Sequence, residues 1–222
     1  MRILPGALWV AYNIVHPEAI ESMLPPHLRL STSPLLMCDN DTDITPKLLF
    51  NAYHVRAPYM DGSRIDVQTL AHDPASDTLH LVILEVLTNT MDWNPRDGLR
   101  RTGNAKMEWD RGDDDIIMNA QRKDDPAVMI SVEGALGSSV PIATQFAVDA
   151  NRRCYFGNSP IGYSMTFSED AVTHPVRPVR GTVSNTLWQE HRERTPTHVF
   201  MHSRAMDFDV AIPWRQIILG GG

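Results

Sequence analysis

The chain has 222 residues, of which 42% are hydrophobic, and a formal net charge of -7. This length can bury a sizeable core, and we expect a single domain over residues 1–222. The acidic balance leaves no basic face that could displace counterions, so we expect no nucleic-acid partner. Two cysteines cannot build a disulfide framework, and no apolar run approaches the ~20 residues of a membrane helix. We therefore expect a soluble, cytoplasmic protein without a membrane partner.

One helix is predicted near the start of the chain. Pro17 suits the first helical position, and Ile20 and Leu24 lie on one face. Pro25 and Pro26 end the helix because the residue before a proline avoids helical backbone angles. The segment 138–151 stays open between a short helix that begins at Pro141 and a long loop over a pocket.

The rest of the chain is predicted to be strands. Short aliphatic and β-branched stretches alternate with proline and glycine, and the run 207–210 alternates polar and apolar residues as a half-buried strand does. The predicted strands are 8–15, 48–55, 65–71, 79–87, 116–121, 127–134, 163–168, 179–186, 198–201 and 207–212. Many short strands with few helices favour a mainly β fold, a closed or strongly coiled antiparallel sheet.

A cation cluster lies between two of these apolar stretches. Arg100, Arg101 and Lys106 are three cations within seven residues, between the apolar runs 79–87 and 127–132. Clustered cations in a dry pocket bind a carboxylate or phosphate and stabilise an enolate. In the alternative interpretation, the arginines pair with nearby acidic residues such as Asp97 at a strand end.

Other candidate groups are weaker. Glu133 follows the apolar run 127–132, where burial would push it toward the protonated form of a general acid; pairing with an arginine and exposure to solvent stay open.

His198 and His202 share a face if their segment is a strand, but a metal would need a third ligand such as Asp209. There is no HExxH, CxxC, GxSxG, phosphate loop or dinucleotide fingerprint, so we expect no metal and no cofactor.

The segment Arg100-Arg101-Thr102-Gly103-Asn104-Ala105-Lys106 resembles the Lys-Lys-x-Gly-x-Pro-Lys segment of acetoacetate decarboxylase and its wider superfamily. The stretches 19–30 and 196–217 are similar to the family's early helix and C-terminal spacing, and the resemblance is weakest over 138–159. It implies an acetoacetate-decarboxylase-like coiled antiparallel β-barrel with a central pocket, few peripheral helices and assembly into a homo-oligomer.

The departures from the family pattern bear on the chemistry. In the family, the first lysine of the segment forms a Schiff base with the substrate ketone, and the second lowers its pKa. Arg100 and Arg101 stand at these positions, and a guanidinium stays protonated and cannot act as the amine nucleophile. Lys106 matches the family's third lysine. The family's pocket glutamate, in a Tyr-x-Glu turn, resembles Asp61 in the segment that begins at Tyr59.

We therefore expect a cofactor-free lyase or isomerase, with cyclases included. It would act on an oxygenated, largely apolar small metabolite without Schiff-base chemistry. Arg100 would stabilise a carboxylate or enolate, and Asp61 or Glu133 would move a proton, with Asp61 favoured because it also matches the family's pocket carboxylate. The expected substrate-binding residues are Arg101, Lys106 and Tyr59. Two alternatives stay open: a non-catalytic small-molecule-binding protein on the same fold, and a β-keto acid decarboxylase that uses Lys106.

Overall fold

The computed structural model describes residues 2–32, 44–57, 60–94, 98–101, 106–112, 114–122, 125–140, 153–167, 176–202 and 204–211. Within them lie one short α-helix, α1 (Pro17–Glu21), and one 3₁₀ turn, Gln189–His191. In chain order the strands are β1 (Arg2–Ile3), β2 (Ala7–Asn13), β3 (Arg29–Leu30), β4 (Lys47–Ala57), β5 (Met60–Asp73), β6 (Thr78–Thr88), β7 (Met91–Asn94), β8 (Gly98–Arg101), β9 (Lys106–Arg111), β10 (Asp115–Arg122), β11 (Asp125–Leu136), β12 (Arg153–Phe156), β13 (Tyr163–Phe167), β14 (Val176–Asn185), β15 (His198–His202) and β16 (Met206–Ala211).

Each predicted strand corresponds to an observed one, and the helix begins at Pro17 as predicted. The helix is shorter than expected because the amides of Met23 and Leu24 bond to carbonyls three residues back, which tightens its last turn. The pattern does not predict β1, β3, β7, β8, β9 and β12. Of the ambiguous segment 138–151, residues 141–151 lie outside the described residues.

One large sheet has the strand order β3-β5-β6-β12-β13-β16-β1-β4-β2-β15-β14-β11-β10-β9, while β7 and β8 form a separate hairpin. The pairings are antiparallel except that of β6 with β12, which is parallel. The predicted mainly β, mostly antiparallel fold with few helices is therefore confirmed.

The predicted closed barrel needs correction. The order has two ends, β3 and β9, and no described pairing joins them, so the sheet as a whole is coiled but open. However, β4 also pairs with β5, and hydrogen-bonded neighbours run from β4 through β5, β6, β12, β13, β16 and β1 back to β4. We call these strands the strand ring. Six further strands continue the sheet beyond β4, in the order β2, β15, β14, β11, β10 and β9. We call them the extension, and because of them the whole sheet does not close.

Both faces of β4, β5 and β6 are buried along most of their length. Alternate side chains of a strand point to opposite faces. On one face, Phe50 and Ile65 pack with Met118 and Ile130 of the extension, and we call this the outer face. On the other, the cluster draws on β4, β5, β6, β12 and β13 in turn, and we call this the inner face; its ring members are Leu49, Leu70, Leu79, Leu81, Ile83, Cys154 and Tyr163. No helix within the described residues is long and apolar enough to cross a membrane.

Candidate functional site

A group of polar side chains lies on the inner face of β4 and β5. In the β4–β5 register, Asn51 stands opposite Asp66, and Tyr53 stands opposite Arg64. Directly opposite residues project to the same face of a sheet, and Gln68 follows on that face two positions beyond Asp66. Only 4% of Asn51, 2% of Asp66 and 2% of Gln68 is exposed. We call these residues, Asn51, Tyr53, Arg64, Asp66 and Gln68, the inner polar patch.

Asp66 is the centre of this patch. The Tyr53 hydroxyl donates to Oδ2 at 2.8 Å, and Arg64 Nε donates to Oδ1 at 2.7 Å. Gln68 Nε2 adds a longer hydrogen bond to Oδ2 at 3.4 Å. The side chains of Arg64 and Asp66 are only 11% and 4% exposed, so their charges compensate each other inside the protein. A negative carboxylate is thereby held in one orientation beside a hydroxyl donor.

Some polar atoms around Asp66 are unsatisfied. Among the described residues, Trp9 Nε1, Asn51 Oδ1 and Gln68 Oε1 are buried and have no hydrogen-bond partner. Trp9 stands directly opposite Asn51 in the β2–β4 pairing, so both project to the same face. A buried polar atom without a partner costs about 1–3 kcal/mol, and native proteins contain few of them. These atoms are therefore candidates for bonds to a bound molecule.

An apolar and aromatic wall continues from the patch. The Trp9 and Phe200 rings stack with centroids 5.9 Å apart and an interplanar angle of 7°. The His202 ring lies 6.4 Å from Trp9 and 6.3 Å from Phe200, and Leu49 and Leu70 extend the apolar surface. Many apolar groups with a few convergent polar ones are typical of a small-molecule site.

The predicted cation cluster lies partly within the described strands. Arg100 and Arg101 belong to β8, where Arg100 stands opposite Asp92. Lys106 begins β9 and stands opposite Gln121. The structure describes the backbone of these three cations but not their side chains, and Tyr59 lies outside the described residues.

The residues that precede the β7–β8 hairpin, 88–90, are hydrogen-bonded to β5, and we call them the root of the hairpin. Ser63 N donates to Asn89 Oδ1 at 2.8 Å, and Thr88 Oγ1 donates to the Ser63 carbonyl at 2.8 Å. Gly62 has no side chain at the point where Asn89 and Thr90 pack against it. Thr88 stands opposite Arg64. The hairpin that carries Arg100 and Arg101 therefore leaves the sheet next to the inner polar patch.

Asp61, the favoured proton carrier, lies on the outer face. It stands opposite Arg56, and its carboxylate accepts hydrogen bonds from His54 Nε2 at 2.5 Å and Arg56 Nε at 3.0 Å. The hydrogen bond from His54, followed by that from Arg56, lowers the pKa of Asp61. The carboxylate is 55% exposed. The structure therefore does not bring Asp61 into the inner polar patch.

Glu133 also faces away from the interior. In β11, Ile130 and Val132 are fully buried, whereas Glu133 is exposed. Of the interpretations left open for Glu133, exposure to solvent is therefore the one observed, because the alternation of β11 places Glu133 on the face opposite Val132.

The sequence interpretation missed the inner polar patch and Trp9. The sequence contains a signal for part of the patch, because Asp66 and Gln68 alternate with Ile65 and Val67 in the predicted strand 65–71, which Arg64 directly precedes. Polar residues at every second position of an otherwise apolar strand share one face. Nothing local to β5 indicated that this face is also buried.

His198 and His202 both lie in β15, opposite Ala11 and Ala7. They are four positions apart on the same strand and therefore share one face, as predicted for a strand. Within the described part of the chain, no group of three or more His, Cys, Asp or Glu side chains could hold a metal ion.

The fold is similar to those of two solved acetoacetate-decarboxylase-like structures. No family model and no curated protein matches the sequence. An acetoacetate decarboxylase from Legionella pneumophila has a similar structure, with a TM-score of 0.56 and 10% identity over 96% of this chain and 84% of that one. An acetoacetate decarboxylase-like enzyme from Sphingomonas wittichii RW1 has a TM-score of 0.50 and 6% identity over 92% of this chain and 89% of that one. The predicted resemblance is thus confirmed as a shared fold.

Proposed function

We propose that this chain is a cofactor-free lyase or isomerase that acts on an oxygenated, largely apolar small molecule at the inner face of the strand ring. The observation that carries the proposal is the buried Asp66 carboxylate, which Tyr53 and Arg64 hold beside polar atoms that have no hydrogen-bond partner in the described part of the chain. The fold shared with two structures described as acetoacetate decarboxylase and as a related enzyme supports it.

The chemistry of the patch suits proton transfer next to a carbonyl. The Asp66 carboxylate would accept a proton from a carbon, and the Tyr53 hydroxyl would give its own proton to another atom of the substrate. The proton on Asp66 would then pass to the Tyr53 oxygen across their 2.8 Å hydrogen bond, which restores both groups. The Arg64 cation would hold the Asp66 carboxylate in position through their 2.7 Å hydrogen bond. Arg100 and Arg101, on the hairpin that leaves the sheet beside Arg64, would stabilise negative charge that develops on the substrate oxygen. We also propose that the chain forms a homo-oligomer, which light scattering after size-exclusion chromatography would test.

Paired substitutions of the carboxylates test the proposal. NMR in D₂O would follow α-proton exchange and bond cleavage in a panel of ketones and 1,3-dicarbonyl compounds. Asp66→Asn should lower the rate by about 10²-fold or more, since general acid–base groups contribute that much, while ligand binding weakens less. Asp61→Asn is the matched control. If Asp61→Asn lost turnover and Asp66→Asn kept it, proton transfer would be assigned to Asp61 instead of Asp66.

A second candidate function is binding without catalysis. It is favoured by the outward positions of Asp61 and Glu133, the carboxylates expected to move the proton. A ligand that binds tightly at the inner face, with no exchange or cleavage in any compound of the panel, would support this function and overturn the enzymatic one.

Decarboxylation through Lys106 is tested by trapping. Borohydride with acetoacetate should leave the intact mass unchanged, because Arg100 cannot form the imine that borohydride reduces. A reduced adduct mapped to Lys106 would show that the amine has moved and would favour the decarboxylase.

A further inference from the structure

We infer that the ligand is uncharged where it meets the inner polar patch and presents hydroxyl groups to Asn51 and Gln68. This inference rests on the proposed function, because it names the substrate class of the same site. It is carried by the kinds of polar atom that have no hydrogen-bond partner there within the described ranges.

The orientation of Gln68 is set by Asp66. Its Nε2 donates to the carboxylate at 3.4 Å, and the reversed amide would place oxygen against oxygen. The atom left for a ligand is therefore Oε1, which only accepts hydrogen bonds. A ligand must bring a donor to this position.

Trp9 and Asn51 define a second position. They stand directly opposite each other, yet the indole N–H and the Asn51 oxygen are both without a partner among the described residues. An inserted hydroxyl satisfies both, because it accepts from the indole and donates to the amide oxygen. An ammonium cannot do this, since it has no lone pair for the indole N–H.

Charge excludes an anion at the same place. Arg64 already compensates Asp66 through a 2.7 Å hydrogen bond, and the remaining groups include two acceptor oxygens. A ligand carboxylate would place its oxygens against these acceptors, whereas neighbouring hydroxyls donate to them. The patch therefore matches a diol or hydroxy-ketone, with its apolar part against Trp9 and Phe200.

Binding of three related probes tests this inference: 1-phenyl-1,2-ethanediol, its dimethyl ether and mandelate. Titration calorimetry should show that the diol binds at least about 10-fold more tightly than either of the others. Asn51→Leu and Gln68→Met should each weaken diol binding by about 10-fold, which corresponds to one hydrogen bond of about 1.4 kcal/mol. Gln189→Met, in the exposed 3₁₀ turn, is the matched control and should leave binding unchanged.

Thermal unfolding supplies a test that does not depend on the probes. If Asn51 Oδ1 lacks a partner in the free protein, Asn51→Leu should leave the Tm unchanged or raise it, whereas Gln68→Met also removes the Nε2 donor to Asp66 and is therefore tested by binding alone. A fall in Tm for Asn51→Leu, equal binding of diol and ether, or tighter binding of mandelate would overturn the inference. Diol binding without turnover of any ketone would overturn only the proposed function. Turnover without preference for the diol would overturn only this inference.

Discussion

The Asp61 carboxylate at the start of β5 accepts hydrogen bonds from His54 and Arg56, which lower its pKa from the ordinary value of 3.8. The folded state therefore binds this proton less tightly than the unfolded state. The resulting stabilisation is complete above the unfolded pKa and disappears as the pH falls through the folded one. We expect Asp61→Asn to lower the free energy of unfolding at pH 7, and the difference from the unmodified protein to shrink as the pH falls below 3.8.

Urea unfolding at pH 7 and at several pH values below 4 would measure this difference. Asp115→Asn, an exposed aspartate in β10, is the control for loss of a surface carboxylate. If Asp61→Asn and the control had the same free energy of unfolding at pH 7, the hydrogen bonds of Asp61 with His54 and Arg56 would not stabilise the fold. A difference between Asp61→Asn and the unmodified protein that persisted at the lowest pH would also contradict this role.

Asp61 and Asp66 also show where sequence reasoning reached its limit. Asp61 was favoured because its local sequence resembles a family turn, whereas Asp66 is an acidic residue inside a predicted strand. Their positions differ by an odd number, so strand alternation places them on opposite faces. The predicted strand 65–71 does not reach Asp61, and both faces of β5 are buried over 65–71. Only the pairing of β4 with β5, which completes the strand ring, decides which aspartate points inward.

At the scale of elements, the β7–β8 hairpin depends on its root. The Asn89 side chain accepts the hydrogen bond of Ser63 N, and Ser63 is 6% exposed. Asn89→Ala leaves this buried amide without its partner, at a cost of about 1–3 kcal/mol. Because the root holds the hairpin against β5, we expect amide hydrogen exchange to increase in β7 and β8 more than in the rest of the sheet.

Hydrogen exchange with mass spectrometry, together with thermal unfolding, would measure both effects. Ser76→Ala removes an exposed hydrogen bond to Asp73 in the β5–β6 turn, and changes of this kind stay within about 0.5 kcal/mol. Unchanged exchange in β7 and β8 of Asn89→Ala would show that the hairpin is held by other contacts.

Strand prediction was accurate where the apolar signal was long. β4, β5 and β6 contain continuous or alternating aliphatic residues, so the pattern indicates them. β8 reads Gly-Leu-Arg-Arg, and β1 and β3 have two residues each. Strands this short form because a neighbour already offers hydrogen-bonding groups. The sequence interpretation thus found the cations of β8 but not the hairpin that presents them.

At the scale of the whole molecule, the outer-face core connects the strand ring to the extension. Phe50 and Ile65 of the ring share one buried cluster with Met118 of β10 and Ile130 of β11. Neither part can expose this surface without loss of the shared contacts, so we expect the ring and the extension to unfold together. Such cooperative unfolding is what we expect if residues 1–222 form a single domain.

Met118→Ala tests this coupling, because Met118 is fully buried in the extension at 0% exposure. The substitution should lower the free energy of unfolding by about 2–5 kcal/mol. The transitions followed by far-UV circular dichroism and by tryptophan fluorescence should shift together. Ile117→Ala is the matched control, since its neighbouring side chain is 40% exposed and its loss should change stability by less than about 0.5 kcal/mol. Because Trp9 and Trp109 lie in β2 and β9 of the extension, an early fluorescence transition followed by a later transition in circular dichroism would mean that the extension unfolds separately, and that the chain consists of two units rather than one domain.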